Sequence, residues 1–257
     1  MSRVKQAFEN GKAFIAFITG GDPDLDTTKK MIIEMQNDGA DMIEVGIPFS
    51  DPIAEGTVIQ EADLRALSKG CTTDKVFEAL KDIKDEIHIP LVFVTYMNVV
   101  YRYGSQKFIE RCVECGIDGI VVPDCPYEEK QELLPYCESA GIDYISYIAP
   151  ATKDRIKMIA KEAQGFIYCV SSDSVPNMKN NTILELAPII DVIKEVTDVP
   201  CVVGCNDLTP EKNARMCRIS DGVIAESDIV KIIGEHGKAS MPYISKYIKT
   251  IKKSMTE

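Results

Sequence analysis

The chain has 257 residues, of which 45% are hydrophobic and 27% charged, and its 29 Lys and Arg against 40 Asp and Glu give a net charge of −11. This is the composition of an ordinary globular protein and excludes the disordered and fibrous classes. No basic stripe is present, which argues against a general nucleic-acid binder and against binding to anionic membranes, whereas a local pocket for a phosphorylated metabolite stays possible.

Short β-branched runs alternate along the chain with amphipathic stretches. The runs end near Gly, Pro or Asp and are almost continuously apolar, which is typical of parallel strands buried on both faces. The predicted strands are Phe14–Thr19, Asp41–Val45, Pro90–Tyr96, Gly119–Pro123, Asp143–Ile148, Gly165–Val170, Pro200–Gly204 and Gly222–Ala225.

The segments between these strands have helical periodicity. Apolar residues form one stripe within Thr27–Asn37 and another within Glu128–Ala140. Thr152 and Thr209 stand at predicted helix starts, and Pro210 directly follows the second of them. The C-terminal segment Tyr243–Lys253 has one apolar and one basic face, which in so acidic a chain predicts an outer helix rather than a membrane-surface helix.

Eight strand–helix units in a chain of this length predict a single (β/α)8 TIM barrel that spans residues 1–257. The alternative is a doubly wound open sheet, but the number of units favours closure. Two connections are long, at residues 47–73 and 171–183. Loops at the carboxyl ends of barrel strands usually carry the active site, so we expect function at these two connections.

The nine cysteines are odd in number and lie mostly in apolar runs, with no secretory segment before them. We therefore expect a cytoplasmic protein with reduced thiols. Cys112 and Cys115 have the spacing of metal ligands, but a structural zinc site needs four ligands and no matching second pair follows. We interpret them as packing residues on one helix face and expect no metal. No apolar run is long enough to predict a transmembrane segment.

Glu44 is the first candidate for chemistry, because it lies within an apolar strand. A buried carboxylate needs a partner or a raised pKa, and a raised pKa suits a general acid or base near neutral pH. The alternative is a strand-end glutamate paired with a lysine.

Asp51 and Glu55 follow near the barrel mouth, where paired carboxyl groups can divide into an acid and a base. Asp22 and Asp124 lie on the same rim and are interpreted first as cap or turn residues, with Mg²⁺ binding left open.

Several strings of residues are specific enough to indicate a family. They are Phe17–Pro23, Gly39–Pro52, Val58–Gln60, Thr95–Asn98, Arg102–Gly104, Val122–Asp124, Ile148–Pro150 and Ser220–Ile224. Over essentially the whole chain they resemble the tryptophan synthase alpha subunit family. The resemblance implies a (β/α)8 lyase that cleaves indole-3-glycerol phosphate to indole and glyceraldehyde 3-phosphate by a retro-aldol reaction, with no metal or organic cofactor. It also implies a partner, the pyridoxal-phosphate-dependent beta subunit, which receives the indole.

The resemblance further implies roles for individual residues. Glu44 matches the general acid/base that protonates the indole ring carbon and takes the hydroxyl proton. Glu55 stands where the family has an Asp that holds the indole N–H. Phe17 and Tyr168 match residues that line the indole pocket. The residues expected to face the beta subunit are Pro48, Asp51 and Asn98.

The departures from the family fall mostly where it binds the substrate phosphate. After the sixth strand the family resembles Ser-Arg-x-Gly-x-Thr-Gly, whereas residues 171–177 read Ser-Ser-Asp-Ser-Val-Pro-Asn. The turn Gly-Phe-Gly is here Gly204-Cys205-Asn206, and Gly-Ser is here Glu226-Ser227. Lost glycines hinder close approach of backbone N–H groups, and Pro176 has no N–H to donate. A carboxylate about 5 Å from a phosphate dianion would repel it by roughly 6 kcal/mol at an effective dielectric constant near 20.

Three hypotheses about function follow. The first is the family reaction with a rebuilt phosphate pocket. The second is a diverged barrel lyase whose substrate lacks the phosphate, and the third is a non-catalytic partner that regulates a beta subunit. Retained Glu44 favours the first two, and we place the family reaction first. The expected substrate-binding residues are Phe17, Tyr168, Gly204, Asn206, Glu226 and Ser227.

Overall fold

The computed structural model describes residues 2–170 and 182–255. The strands in these residues are β1 Ala13–Thr19, β2 Met42–Gly46, β3 Leu91–Val94, β4 Gly119–Val121, β5 Asp143–Ile148, β6 Gln164–Cys169, β7 Cys201–Cys205 and β8 Gly222–Ala225. They form one closed parallel barrel, in which each strand pairs with its chain neighbours and β1 pairs with β8. The predicted TIM barrel is confirmed, and the open sheet is not.

Helices surround the barrel. Within the described ranges the α-helices are α1 Arg3–Gln6, α2 Leu25–Asn37, α3 Thr57–Ser68, α4 Thr73–Ile83, α5 Met97–Tyr103, α6 Ser105–Glu114, α7 Leu134–Ala140, α8 Lys153–Lys161, α9 Thr182–Lys194, α10 Pro210–Met216, α11 Ser227–His236 and α12 Met241–Ser254. A search of the same residues finds no helix with the length and apolar character needed to span a membrane. The long connection at residues 47–73 is only partly irregular, because α3 takes up close to half of it.

The side chains of each strand alternate between the barrel interior and the layer under the helices. In β1, Ile15 and Phe17 belong to the interior cluster, whereas Ala16 and Ile18 belong to the outer core. In β2, Met42 belongs to the interior cluster, so Glu44, two residues later, faces the same interior. The same alternation decides which residues at the strand ends reach the barrel mouth.

Helix boundaries agree with the sequence at the caps and differ at one proline. Thr152 accepts a hydrogen bond from the Arg155 N–H at 3.4 Å, and Thr209 accepts one from the Lys212 N–H at 3.2 Å. The helix predicted over Glu128–Ala140 is broken: a 3₁₀ helix covers Tyr127–Glu132, and α7 begins at Leu134. Pro135 lacks an N–H and its ring crowds the preceding turn, so a continuous helix cannot pass through it.

The outer layer confirms two further predictions. Cys112 and Cys115 are fully buried at the end of α6, where the Cys115 thiol donates to the Phe77 carbonyl at 3.1 Å, so both act as packing residues. The C-terminal helix α12 buries its apolar face against α2 and α10. Lys252 adds an ion pair of 2.6 Å to Asp41, which anchors the helix beside the start of β2.

Candidate active site

Glu44 lies on the interior face of β2. Its side chain is 0% exposed, and within the described residues neither carboxyl oxygen has a hydrogen-bond partner. Burial raises the pKa of Glu44 well above its ordinary value, and the charges of Glu226 and Glu55 raise it further. The alternative interpretation of Glu44, a strand-end glutamate paired with a lysine, is therefore wrong. Burial of Glu44 away from any partner in the described residues favours the protonated form of its carboxyl group.

The aromatic wall beside Glu44 depends on a glycine. Phe17 pairs in register with Glu44 across β1 and β2, and its ring is buried in the interior cluster. A Cβ atom added at Gly46 would lie 2.7 Å from Cζ of Phe17, too close for any other residue without a shift of the ring. Because Gly46 has no side chain, the Phe17 ring can occupy the space beside Glu44 at the end of β2.

Glu226 directly follows β8 and points into the barrel mouth. Ile224, two residues earlier, belongs to the interior cluster, so the alternation of β8 carries Glu226 inward. The Tyr168 hydroxyl donates a hydrogen bond to Oε1 of Glu226. Burial raises the pKa of Glu226, and the hydrogen bond from Tyr168 opposes that rise. The carboxyl group at this altered position thus faces the other acids of the site rather than solvent.

Glu55 completes the group of carboxyls, in the loop that follows β2. Burial, with the charges of Glu226 and Asp63, raises the pKa of Glu55 to about 8, against the effect of the Tyr96 hydroxyl. Tyr96 also holds the loop in place, because its hydroxyl accepts the Ala54 N–H at 3.2 Å and its ring stacks on Phe49 at 5.3 Å. We call Glu44, Glu55 and Glu226 together the carboxyl cluster.

Tyr147 and Asp63 belong to this site and were missed in the sequence. The rings of Tyr147 and Tyr168 meet edge to face with centroids 5.1 Å apart. Burial raises the pKa of Tyr147, and all members of the carboxyl cluster add to the rise. Asp63 is 5% exposed on α3, and burial raises its pKa to about 7. Alternation along β5 and an acid within the apolar stripe of α3 were the signals available.

Other acids on the rim hold the fold together. Arg65 of α3 donates two hydrogen bonds to the buried carboxylate of Asp22, at 2.9 and 2.7 Å. Asp124 accepts the N–H of Met97 at 2.9 Å and so caps the start of α5. Asp124 thus has the capping role that the sequence favoured, whereas Asp22 is not a helix cap and lies in a buried ion pair. Within the described residues no group of three or more His, Cys, Asp and Glu is arranged to hold a metal ion.

The expected phosphate corner lies where β7 and β8 end. Oγ of Ser227 donates to Oδ1 of Asn206 at 2.5 Å, and Lys212 donates to the Asn206 carbonyl at 2.6 Å. Gly204 lies against the Tyr168 hydroxyl, since a Cβ atom added there would approach it to 2.5 Å. The corner therefore contacts Tyr168, which also binds Glu226. The altered residues Ser171–Asn177 lie outside the described residues.

The residues expected to face a partner have different exposures. Asp51 and Asn98 are exposed, whereas Pro48 is buried within this chain. Two large apolar side chains are exposed near them: Ile53 is 77% exposed in the loop after β2, and Tyr101 is 75% exposed on α5. This combination of polar and apolar exposed groups at the barrel mouth is typical of a protein–protein interface.

The sequence is similar to known proteins over nearly its whole length. A family model described as tryptophan synthase alpha chain matches residues 2–256. The tryptophan synthase alpha chain of Lacticaseibacillus casei is 41% identical over 252 residues, which cover 98% of this chain and 95% of that protein. The alpha chain of Petrotoga mobilis is 39% identical over 257 residues, which cover 98% of this chain and 99% of that protein.

Solved structures agree with the sequence matches. Tryptophan synthase subunit alpha from Legionella pneumophila superposes with a TM-score of 0.90 and 28% identity, covering 100% of this chain and 99% of that one. A chain from the tryptophan synthase a2b2 complex of Pyrococcus furiosus superposes with a TM-score of 0.84 and 30% identity, covering 95% and 99%. The similarity thus includes the whole barrel.

Proposed function

The chain belongs to the tryptophan synthase alpha chain family, and we propose that it is the lyase that cleaves indole-3-glycerol phosphate to indole and glyceraldehyde 3-phosphate in tryptophan biosynthesis. The observation that carries the proposal is Glu44, a buried carboxyl group without a hydrogen-bond partner in the described residues. Family membership over the whole barrel favours this reaction over a phosphate-free substrate or a purely regulatory role.

The chemistry needs one proton delivered and one removed. Cleavage breaks the bond between the indole ring carbon and the first carbon of the glycerol phosphate chain. The ring carbon gains a proton, the hydroxyl on the departing carbon loses one, and that carbon becomes the aldehyde. Glu44 delivers the first proton and, as a carboxylate, accepts the second, which restores its starting form. Its raised pKa supports this role, because the acid must be protonated at the working pH.

The groups around Glu44 suit a planar aromatic substrate. Phe17, Tyr147 and Tyr168 contribute apolar ring surface in the barrel interior, against which an indole can stack. Glu55 is proposed to accept the indole N–H, and it can do so with or without its own proton. Asn206 and Ser227 are proposed to meet the phosphate, since they lie at the ends of β7 and β8.

The chain pairs with a beta subunit, as the complexes among its structural relatives support. We place the contact at the barrel mouth, where Asp51, Ile53, Asn98 and Tyr101 are exposed. Indole released in the barrel would then leave at the partner's surface. A cytoplasmic location is proposed, which suits a chain whose nine cysteines are free thiols.

An indole-release assay tests the proposal. Purified protein is incubated with indole-3-glycerol phosphate, with and without beta subunit, and indole is measured. We expect turnover, and a loss of about 10²–10⁴-fold in Glu44→Gln, the usual contribution of a general acid or base. Glu86→Gln is the matched control, because it removes an exposed carboxylate just before β3, at the opposite end of the barrel. Absence of turnover by the wild type, or full activity in Glu44→Gln, would contradict the proposal.

A further inference from the structure

We infer that Glu226 is a specificity-determining residue that makes binding of the substrate's phosphate depend on proton uptake by the carboxyl cluster. The inference rests on the proposed function, because it concerns the phosphate end of that substrate. It comes from the place of one side chain between two parts of the site: the acids in the barrel interior and the corner where β7 and β8 end.

Glu226 is held between these two parts. It is the residue immediately before α11, yet its side chain forms no capping hydrogen bond with that helix. Instead it turns inward and accepts the hydroxyl of Tyr168, which itself lies against Gly204 of the corner. Its neighbour Ser227 is hydrogen-bonded to Asn206. An anion that reaches Ser227 and Asn206 therefore comes next to the carboxyl group of Glu226.

The charged surroundings of Glu226 are mostly acidic on the interior side. Glu44 on β2 and Glu55 in the loop after β2 interact with it electrostatically, and Tyr147 on β5 and Tyr168 on β6 contribute hydroxyls. Helix α10 contributes Lys212, which is bonded to the Asn206 carbonyl, and the turn after β7 contributes Asp207, which is paired with Lys231 at 2.7 Å. Ionisation of these acids is unfavourable, above all for Glu44, which is fully buried and has no hydrogen-bond partner in the described residues.

Binding of a phosphate monoester to this site must involve protons. Such a group carries almost two negative charges above pH 7. Its approach makes ionisation of the neighbouring carboxyls less favourable, so the cluster takes up a proton when the phosphate binds. As the pH rises, the cluster loses its protons and phosphate affinity falls. The phosphate's own ionisation is nearly complete above pH 7, so it changes too little between pH 7 and pH 9 to produce a tenfold fall.

Calorimetric titration with two probes tests the inference. Glycerol 3-phosphate reports on the phosphate corner, and indole serves as a neutral ligand of the same site. Wild type and Glu226→Gln are titrated at pH 7 and pH 9. The glutamine keeps an oxygen that can accept the Tyr168 hydroxyl but removes the charge. We expect Glu226→Gln to bind glycerol 3-phosphate about tenfold more tightly than wild type at pH 9, the factor that corresponds to a shift of one unit in the pKa of one group. The affinity of the variant for indole should stay within about twofold of the wild-type affinity.

The pH dependence gives a readout that a merely structural role would not change. Wild-type affinity for glycerol 3-phosphate should fall about tenfold from pH 7 to pH 9, and the fall should be less than half as large in Glu226→Gln. Glu86→Gln should follow the wild type, because its carboxylate lies at the other end of the barrel. Glu226→Gly should also bind the phosphate more tightly, and it replaces the glutamine variant if that one does not fold.

The outcomes separate the inference from the proposed function. If neither Glu226 variant binds glycerol 3-phosphate more tightly than wild type, the inference is overturned, whether or not the wild type releases indole. If the variants do bind it more tightly while indole-3-glycerol phosphate is not cleaved, the inference holds and the proposed function fails. Tighter binding of indole by the same factor would also overturn the inference, since it would mean a general change of the pocket.

Discussion

Glu44 combines two properties that oppose each other at the scale of a single residue. A carboxyl group suits acid catalysis near neutral pH when it is buried away from cations, and the same burial makes its ionised form unfavourable in the folded state. The folded chain therefore accepts a less stable interior where the reaction needs a proton donor. This conflict can be measured, because the cost depends on pH.

We expect Glu44→Gln to be more stable than wild type at high pH. The pKa of Glu44 in the folded chain is raised above the ordinary 4.5. Stability from its protonated form is thus fully present below about pH 4.5 and is lost as the pH rises toward the raised pKa. Removing the ionisable group should raise the melting temperature at pH 8.5 by at least about 3 °C, and the difference should nearly vanish at pH 5. Melting curves at both pH values check this, and a difference independent of pH would contradict it.

A single site residue could be predicted from the sequence when a local pattern identifies it, and not when only the closed barrel brings it into the site. Glu44 could be identified because a carboxylate in an apolar run is a local anomaly, and Tyr168 through the family resemblance. For Tyr147 the alternation along β5 was the available signal, but a tyrosine in a strand is ordinary, and only the closed barrel brings it beside Tyr168 and the acids. The inward direction of Glu226 required the exact register of β8, which the sequence does not specify.

At the scale of elements, α3 positions the loop that carries Glu55. The helix is fixed to the turn after β1 by the pair between Arg65 and Asp22, whose side chains are 33% and 1% exposed. It also brings Asp63 under the same loop, where that carboxyl accepts the N–H of Phe49. A change in the position of α3 is therefore transmitted to Glu55.

Arg65→Leu should destabilise the protein and impair the reaction. Asp22 would be left buried without its partner, at a cost of about 2–3 kcal/mol, below the usual range for breaking a buried pair because Arg65 is partly exposed. Urea denaturation measures the cost, and kcat measures the displacement of Glu55. Arg155→Leu is the matched control: Arg155 makes the same two-bond contact with Glu128 on the surface, and its loss should cost much less because solvent screens the pair. Equal losses in the two variants would contradict this expectation.

The elements themselves were largely predictable from periodicity. All of the predicted strands are present in the described barrel, with ends shifted by at most two residues. Two departures have physical causes. Pro135 interrupts the helix predicted over Glu128–Ala140, because its effect on the preceding turn outweighs the apolar stripe. The connection at residues 47–73 was identified by its length alone, although Ile59, Ala62 and Ala66 form a buried helical stripe within it.

At the scale of the whole molecule, the barrel has one face that suits a partner. Tyr101 follows Asn98 by three residues on α5, so both lie on one side of that helix. Ile53 adds an exposed apolar side chain from the loop that also carries Glu55. A partner bound here would contact the same loop that completes the active site, so binding and catalysis would be coupled through it.

Tyr101→Asp should weaken binding of the beta subunit. An exposed tyrosine at the centre of an interface contributes about 2 kcal/mol or more, which corresponds to at least about 30-fold in affinity. Calorimetric titration of the beta subunit measures the change. Val113→Asp is the control, because Val113 is 52% exposed but lies on the outer helix α6. Unchanged affinity in Tyr101→Asp, or an equal loss in Val113→Asp, would place the partner elsewhere.

Pairing of β1 with β8 also determines when the protein becomes competent during its synthesis. Ala16 pairs with Ala225, near the two ends of the chain. A ribosome that adds ~5–20 residues per second needs roughly 10–40 s to make the intervening segment. Throughout that time β1 has an unpaired apolar edge, which can pair with other chains until β8 is made. Glu226 emerges directly after β8, so the residue that limits phosphate binding is put in place by the same step that closes the barrel.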